Sequence, residues 1–374
     1  MDQERHSVSC HLRREAHSRK NDHMTDENRV MEFLGRVVAD NAAAFAGVST
    51  SLGVRLGLYR AMSGAGPLTS AELASRAGLV ERYTREWLAA QVAGAYVLHD
   101  RETDTYVLPD EHAAVLADAS LPTYVGGGFT MLKALYSAEE QLANAYRNGG
   151  GVSWQEYGPE LAEGVAAFFK PGYEAVLVQE WLPAMEGVEA KLRRGASVAD
   201  VGCGFGHSTV LMAKAFPQSR FRGFDFHEPS VEAARKLAEQ AGVGDRVTFE
   251  IAGANDFPGG DYDLVTFFDC LHDLGDPGAA LGHAEKVLAD GGSCLVVEPN
   301  VSAEPGENIN PIGRSFASTS AVLCLPAAMA QGGPHALGNH PGQEALAAIA
   351  DQVGLHDWRL AVETPTNRIY DVKR

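Results

Sequence analysis

Asp200, Gly202, Gly204 and Gly206 fall in the run Val198-Ala-Asp-Val-Gly-Cys-Gly-Phe-Gly-His-Ser-Thr209, which can seat a ligand against bare backbone. A short apolar strand ends in an acid, three glycines follow at alternate positions, and a helix over about 208–216 begins at once. Glycine is needed where the chain turns sharply and a Cβ would take the ligand's space. A loop that opens a helix also presents unpaired N–H groups. The strand-like run over 220–225 ends in Asp225, an acid placed to accept both hydroxyls of a ribose; its plain alternative is a cap for the helix near Ser230. Further on, His272 offers an imidazole able to take a hydroxyl or ammonium proton. Asp273, Asp276 or Glu298 can orient it, and the alternative is that His272-Asp273 caps the helix near Gly278.

Positioning these groups falls to a regular alternation of elements. A helix over 231–241, strands over 247–252 and 262–268, a helix over 279–288 and a strand over 293–298 follow the glycine loop. After an insertion come a helix over 343–353, a strand-like run over 355–362 and a last strand over 368–372. Such alternation predicts a parallel sheet with helices on both faces. His272 then lies at the C-terminal edge of the sheet, where ligands bind in open α/β folds.

Upstream the chain reads as mainly helical. Val30, Phe33, Leu34, Val37 and Val38 form an apolar stripe at helical spacing. Thr69 and Glu72 have capping-box spacing, and helices over 71–77 and 82–93 with a hairpin near 97–107 make a winged helix-turn-helix. From Pro67 to Asp110 there are seven acids (Glu72, Glu81, Glu86, Asp100, Glu102, Asp104, Asp110) against four arginines (Arg76, Arg82, Arg85, Arg101). That balance lacks the basic footprint that supplies most DNA affinity, so a structural role is expected. The apolar stripe exceeds what one small module can cover and predicts a homodimer through the N-terminal helices.

The whole chain of 374 residues, 45% hydrophobic and 21% charged, is long enough for two domains with sizeable cores. Its net charge of −18 disfavours nucleic acid and anionic membranes as partners. No apolar run is expected to span a bilayer. Cys10, Cys203, Cys270, Cys294 and Cys324 are scattered without metal-ligand or disulfide spacing, so they read as reduced residues of a cytoplasmic protein with no metal. The first 23 residues are polar and lack the apolar centre of a secretory signal; a disordered leader is expected over 1–26, with Met24 opening a more ordinary sequence. The expected divisions are a winged-helix and dimerisation part over 27–120, a helical linker and pocket wall over 121–190, and a ligand-binding domain over 191–374 with a lid insertion over 300–335.

The G-x-G-x-G spacing with Asp200 resembles the first motif of class I S-adenosylmethionine-dependent methyltransferases rather than the G-x-G-x-x-G of dinucleotide folds. The helix–strand–strand ending is similar to the reversed last strand of that Rossmann-like, seven-stranded fold. With a winged helix in front, the chain resembles the small-molecule O-methyltransferases of plants and antibiotic pathways. The run from Asp263 to Pro277, the Glu298-Pro-Asn turn, Asn310-Pro-Ile-Gly-Arg314 and Cys324-Leu-Pro326 resemble more closely an actinobacterial and mycobacterial group of winged-helix methyltransferases. The likeness covers most of the chain after about Glu27.

This resemblance implies S-adenosylmethionine as cofactor, held by Asp200, Gly202, Gly204, Gly206, Asp225, Phe226 and Phe268, and His272 with Asp273 as the catalytic pair. The acid that commonly follows the third strand and binds adenine is replaced by Gly253. Backbone at Ala254 and Asn255, packing on Phe226 or Leu271, or Asp256 must then serve. The acceptor pocket is expected between the two domains, with Phe168, Phe169 and Tyr173 from one side and the insertion from the other. Arg314 can pair with a substrate carboxylate or tie the insertion to Glu298. The function implied is methyl transfer to a small acceptor, at oxygen first and nitrogen, sulfur or carbon next. The alternatives are a cofactor-sensing regulator, and a decarboxylase or hydroxylase on the same scaffold.

Overall fold

The computed structural model describes residues 26–374, so the expectations for the leader lie outside the described residues. Two compact units meet in sequence at Ser49 and Thr50. Up to Ser49, the first is helical, part of the single helix Glu27–Arg55. Val30, Phe33, Leu34, Val37, Val38, Phe45 and Val48 are all exposed on it. This helix corrects one expectation: it has the length and mean hydropathy (1.2 over its most apolar window) of a membrane-crossing helix. Length and composition alone place it there; Glu27, Arg29, Glu32, Arg36 and Asp40 gather in the first half, and Arg55 closes the last turn.

The second unit, Thr50–Arg374, holds everything else. Thr69 and Glu72 form the capping box of helix Ser70–Ala77, Gly78 ends it in the left-handed conformation, and helix Glu81–Ala93 follows. Strands β1 (Leu98–Asp100) and β2 (Thr105–Val107) pair antiparallel as the wing. Tyr59 and Trp87 meet edge to face at 5.0 Å in the core of this module, with Leu73 and Leu88 fully buried beside them. Helices Gly126–Ser137, Glu139–Asn148 and Pro159–Val176 then lead to the sheet.

The sheet contains β3 (Ser197–Val201), β4 (Arg220–Asp225), β5 (Val247–Ile251), β6 (Tyr262–Phe268), β7 (Leu288–Pro299), β8 (Asp357–Glu363) and β9 (Asn367–Lys373). Their spatial order is β5-β4-β3-β6-β7-β9-β8. All neighbours from β5 to β7 run parallel, and β9 enters antiparallel between β7 and β8. Central strands such as β3 are buried on both faces, which is why they read as unbroken apolar runs. One core cluster packs Val198, Phe221, Phe249 and Leu295 on one face, and another packs Val201, Phe267, Leu281 and Tyr370 on the other. The strand order reverses at β3, between β4 and β6, so the crevice beyond the C-terminal ends of these strands is where a ligand site belongs.

Candidate functional site

At that crevice lies a cavity of about 810 Å³. One part is bounded by the glycine loop. Gly202, Gly204 and Gly206 all have positive φ, between 51° and 75°, which disfavours any residue with a Cβ. A Cβ at Gly202 would sit 2.7 Å from Cys270 Sγ, whereas one at Gly204 would meet open space. Gly204 thus faces the cavity. Gly206 does not: its missing Cβ lets Phe249 and Ala234 pack against the loop. Asp200 also stands behind the loop rather than in the wall. Buried, it accepts hydrogen bonds from Ser208 Oγ (2.7 Å), Thr209 Oγ1 (2.5 Å) and Thr266 Oγ1 (2.8 Å). Its hydrogen bonds fix the first turn of helix His207–Ala215 to β6, and it does not line the cavity.

Asp225, at the end of β4, lines the cavity; its oxygens accept from the Gly204 N–H (2.9 Å) and the His227 N–H (2.8 Å). Burial raises its pKa, and the two N–H donors oppose that shift. Phe226 is 47% exposed and lines the same part, with Gly253, Ala254 and Asn255. Leu271 is fully buried in a core cluster and Asp256 is spent accepting from the Gly253 N–H at 3.1 Å; neither is in the wall.

The other part is apolar. Ala162, Val165, Ala166, Phe169 and Tyr173 recur at helical spacing along Pro159–Val176 and present one face to the cavity. Trp154 joins them, and Phe169 stacks on Tyr173, which in turn packs against Phe268 at 5.5 Å. Phe168, one position off this face, is not in the wall. The insertion closes the far side with Ala327, Ala330, Gln331, Gly332, Gly333 and Pro334. It is anchored by Tyr157 Oη donating to the Val322 carbonyl (2.7 Å) and by Gln331, which bonds the Gly275 N–H (3.1 Å) and the Asp273 carbonyl (2.7 Å). Arg314, in helix Pro311–Thr319, does not line the cavity.

His272 is buried behind this wall. Its Nδ1 donates to Glu298 Oε2 at 2.6 Å, and its Nε2 lies 3.2 Å from Asp273 Oδ1 as an ion-pair contact. Burial alone would lower the ring's pKa, but Glu298 and then Asp273 outweigh it and hold the ring protonated well above its ordinary 6.5. A neutral base was expected; the ring instead lies between two carboxylates that favour its protonated form. One donor atom each of His272, Asp273 and Cys324 lie within 4.8 Å of one another. Burial pushes the Cys324 thiol up to about 12.

Asp269, which sequence reasoning passed over, follows β6 at a positive φ of 49° and lines the cavity. Tyr173 Oη donates to its Oδ2 at 3.3 Å and Asn367 Nδ2 to its Oδ1 at 2.7 Å. Burial, and then Glu298, push its carboxyl up to about 8. Its trace in the sequence is an acid directly after the apolar run of β6, as Asp225 ends that of β4.

Residues 43–118 match the family model of the Rv2258c-like winged HTH domain, and residues 192–331 that of a methyltransferase domain. The chain joins an Rv2258c-like winged helix to a methyltransferase domain. A 27-O-demethylrifamycin SV methyltransferase of Amycolatopsis mediterranei is 32% identical over 131 residues, 33% of this chain and 48% of that protein. The chain spans about half the length of the curated relatives it matches first, 48% and 57%. Among solved structures, a mitomycin 7-O-methyltransferase superposes with a TM-score of 0.69 at 19% identity, covering 93% of this chain and 100% of that one. Human N-acetylserotonin methyltransferase, solved with S-adenosylmethionine, gives 0.67 at 17% identity, covering 91% and 97%. At these identities the two structures speak for the fold of the winged-helix methyltransferase, which is that of class I.

Proposed function

We propose that this protein is an S-adenosylmethionine-dependent methyltransferase acting on a small acceptor, at oxygen. The observation that carries this reading is the left-handed glycine loop facing Asp225 across the cavity of the methyltransferase domain. The residues fit the cofactor: Gly204 leaves open space where a side chain would intrude, and Asp225 retains lone pairs for ribose hydroxyls. Phe226 offers a face for adenine, with the backbone of Ala254 and Asn255 replacing the missing acid at Gly253. When bound, the cofactor supplies an electrophilic methyl group on a sulfonium. The chain's own part is alignment and exclusion of water, by Phe169, Tyr173, Trp154 and the insertion.

His272 serves in this reading as a positioning residue. It fixes Asp273 at the cavity wall, where that carboxylate can meet the acceptor. The rifamycin, mitomycin and N-acetylserotonin enzymes support a small acceptor, and two of those three names specify oxygen. A cytoplasmic homodimer held by the stripe on helix Glu27–Arg55 completes the proposal. The test is calorimetry with S-adenosylhomocysteine, followed by a screen of small hydroxylated compounds with methyl-labelled cofactor. Absence of binding in the folded protein refutes the cofactor assignment. Binding with label transferred only to nitrogen or sulfur acceptors refutes oxygen.

A further inference from the structure

The cavity wall is sharply divided between apolar surface and carboxylates. Four acids line it, Asp225, Asp269, Asp273 and Asp276, and among the described residues no lysine or arginine does. Lys170, whose charge is felt at His207, pairs with Glu174 at 3.8 Å, and His207 is kept neutral by burial, its pKa lowered to about 4. Three of the acids already have work. Asp225 takes two backbone N–H groups, Asp269 takes Tyr173 and Asn367, and Asp276 caps helix Pro277–Val287 through the Ala279 N–H at 2.8 Å. Asp273 differs: its side chain is 20% exposed at the cavity, and its charged neighbour His272, at 3.2 Å, is shared with Glu298. Around it the wall is made of Trp154, Phe169, Ala327 and Ala330, a slot suited to a ring system.

In the complex with the uncharged-sulfur product, a carboxylate on the acceptor would face Asp225, Asp273 and Asp276 with no lysine or arginine in the described wall. The His272 proton is already shared by Glu298 and Asp273, whereas an ammonium gains from the same field. Resting on the reading of this cavity as an acceptor site, we propose that the acceptor is a flat, largely apolar ring compound that bears a protonated amine and no carboxylate, with the amine held at Asp273. The amine is the recognition group, and the atom that receives methyl is separate from it.

The experiment is a calorimetric titration of the intact protein at neutral pH, first with S-adenosylhomocysteine and then, on that complex, with three probes sharing one ring. These are 2-naphthylmethylamine, 2-naphthylmethanol and 2-naphthoic acid. The amine is expected to bind at least about tenfold more tightly than the acid and severalfold more tightly than the alcohol. Asp273→Asn is expected to erase the preference for the amine. Equal or tighter binding of the acid, or an alcohol that matches the amine, overturns the proposal, and the wild-type comparison decides alone if the variant does not fold. Failure of S-adenosylhomocysteine to bind removes the underlying function. Its binding without an amine preference removes only this inference.

Discussion

Replacing His272 by alanine separates a base from a buried counter-ion. The ring is buried with Glu298 at 2.6 Å on one nitrogen and Asp273 at 3.2 Å on the other. Deleting one partner of a buried ion pair strands the remaining charge and costs about 3–5 kcal/mol. At roughly 2 cal/mol/K of unfolding entropy per residue, a unit of this size loses about 1.5 °C in Tm for each kcal/mol, so a fall of about 4–8 °C is expected. The sign of the pH dependence follows from the raised pKa of the ring. The stabilisation is complete below the unfolded-state value near 6.5 and is lost as pH rises through the higher folded value. The gap in Tm between wild type and variant should therefore be widest in mildly acidic buffer and narrow in alkaline buffer. Adding Glu298→Gln to the variant should restore part of the loss, since one stranded charge is then gone. Scanning calorimetry across pH on the four proteins of this cycle is the assay. A His272→Ala protein that melts within about 1 °C of wild type, yet turns over about 10²–10⁴-fold more slowly, refutes the argument and restores the histidine as general base.

Asp225→Ala should weaken S-adenosylhomocysteine binding about tenfold or more by removing charge-assisted hydrogen bonds to ribose; unchanged affinity in a folded variant contradicts that role. Gly204→Val should abolish binding while leaving a folded protein, because the branched side chain enters the cavity and not the core. Asp269 titrates near 8, so the affinity ratio of S-adenosylmethionine to its uncharged-sulfur product should rise as pH increases through that value. The rise should vanish in Asp269→Asn, and a flat ratio in wild type shows that the acid does not sense the sulfonium. Light scattering at micromolar concentration should give a dimer, which Phe33→Asp with Val37→Asp converts to a monomer near the chain mass of 39.9 kDa; a monomeric wild type disproves the assembly.

Much of the architecture was legible because it is written in short-range chemistry. Strand β6 (Tyr262–Phe268) falls where its apolar run lies, and the capping box at Thr69 and Glu72 forms as its spacing requires. Helix Pro277–Val287 begins two residues before its expected start because Asp276 supplies the cap, and β7 begins at Leu288, ahead of the expected 293. The length and polarity of helix Glu27–Arg55 were harder to read, since small residues after Asp40 hide an apolar stretch from inspection.

By itself the sequence determined the order of strands and helices, the glycine loop and the acid that faces it. These depend on periodicity, turn chemistry and strand ends, which act within a few residues. Tertiary structure alone decided what each polar group meets. Asp200 looked like a ligand contact and became the anchor of Ser208, Thr209 and Thr266. His272 looked like a free base, but Glu298 reaches it from β7 and the insertion brings Cys324 alongside. Asp269 entered the site because Tyr173 and Asn367 arrive from opposite ends of the fold. The charge state of a buried group is set by neighbours far away in sequence, through desolvation and contacts of a few ångströms, and no local pattern encodes which neighbours those will be.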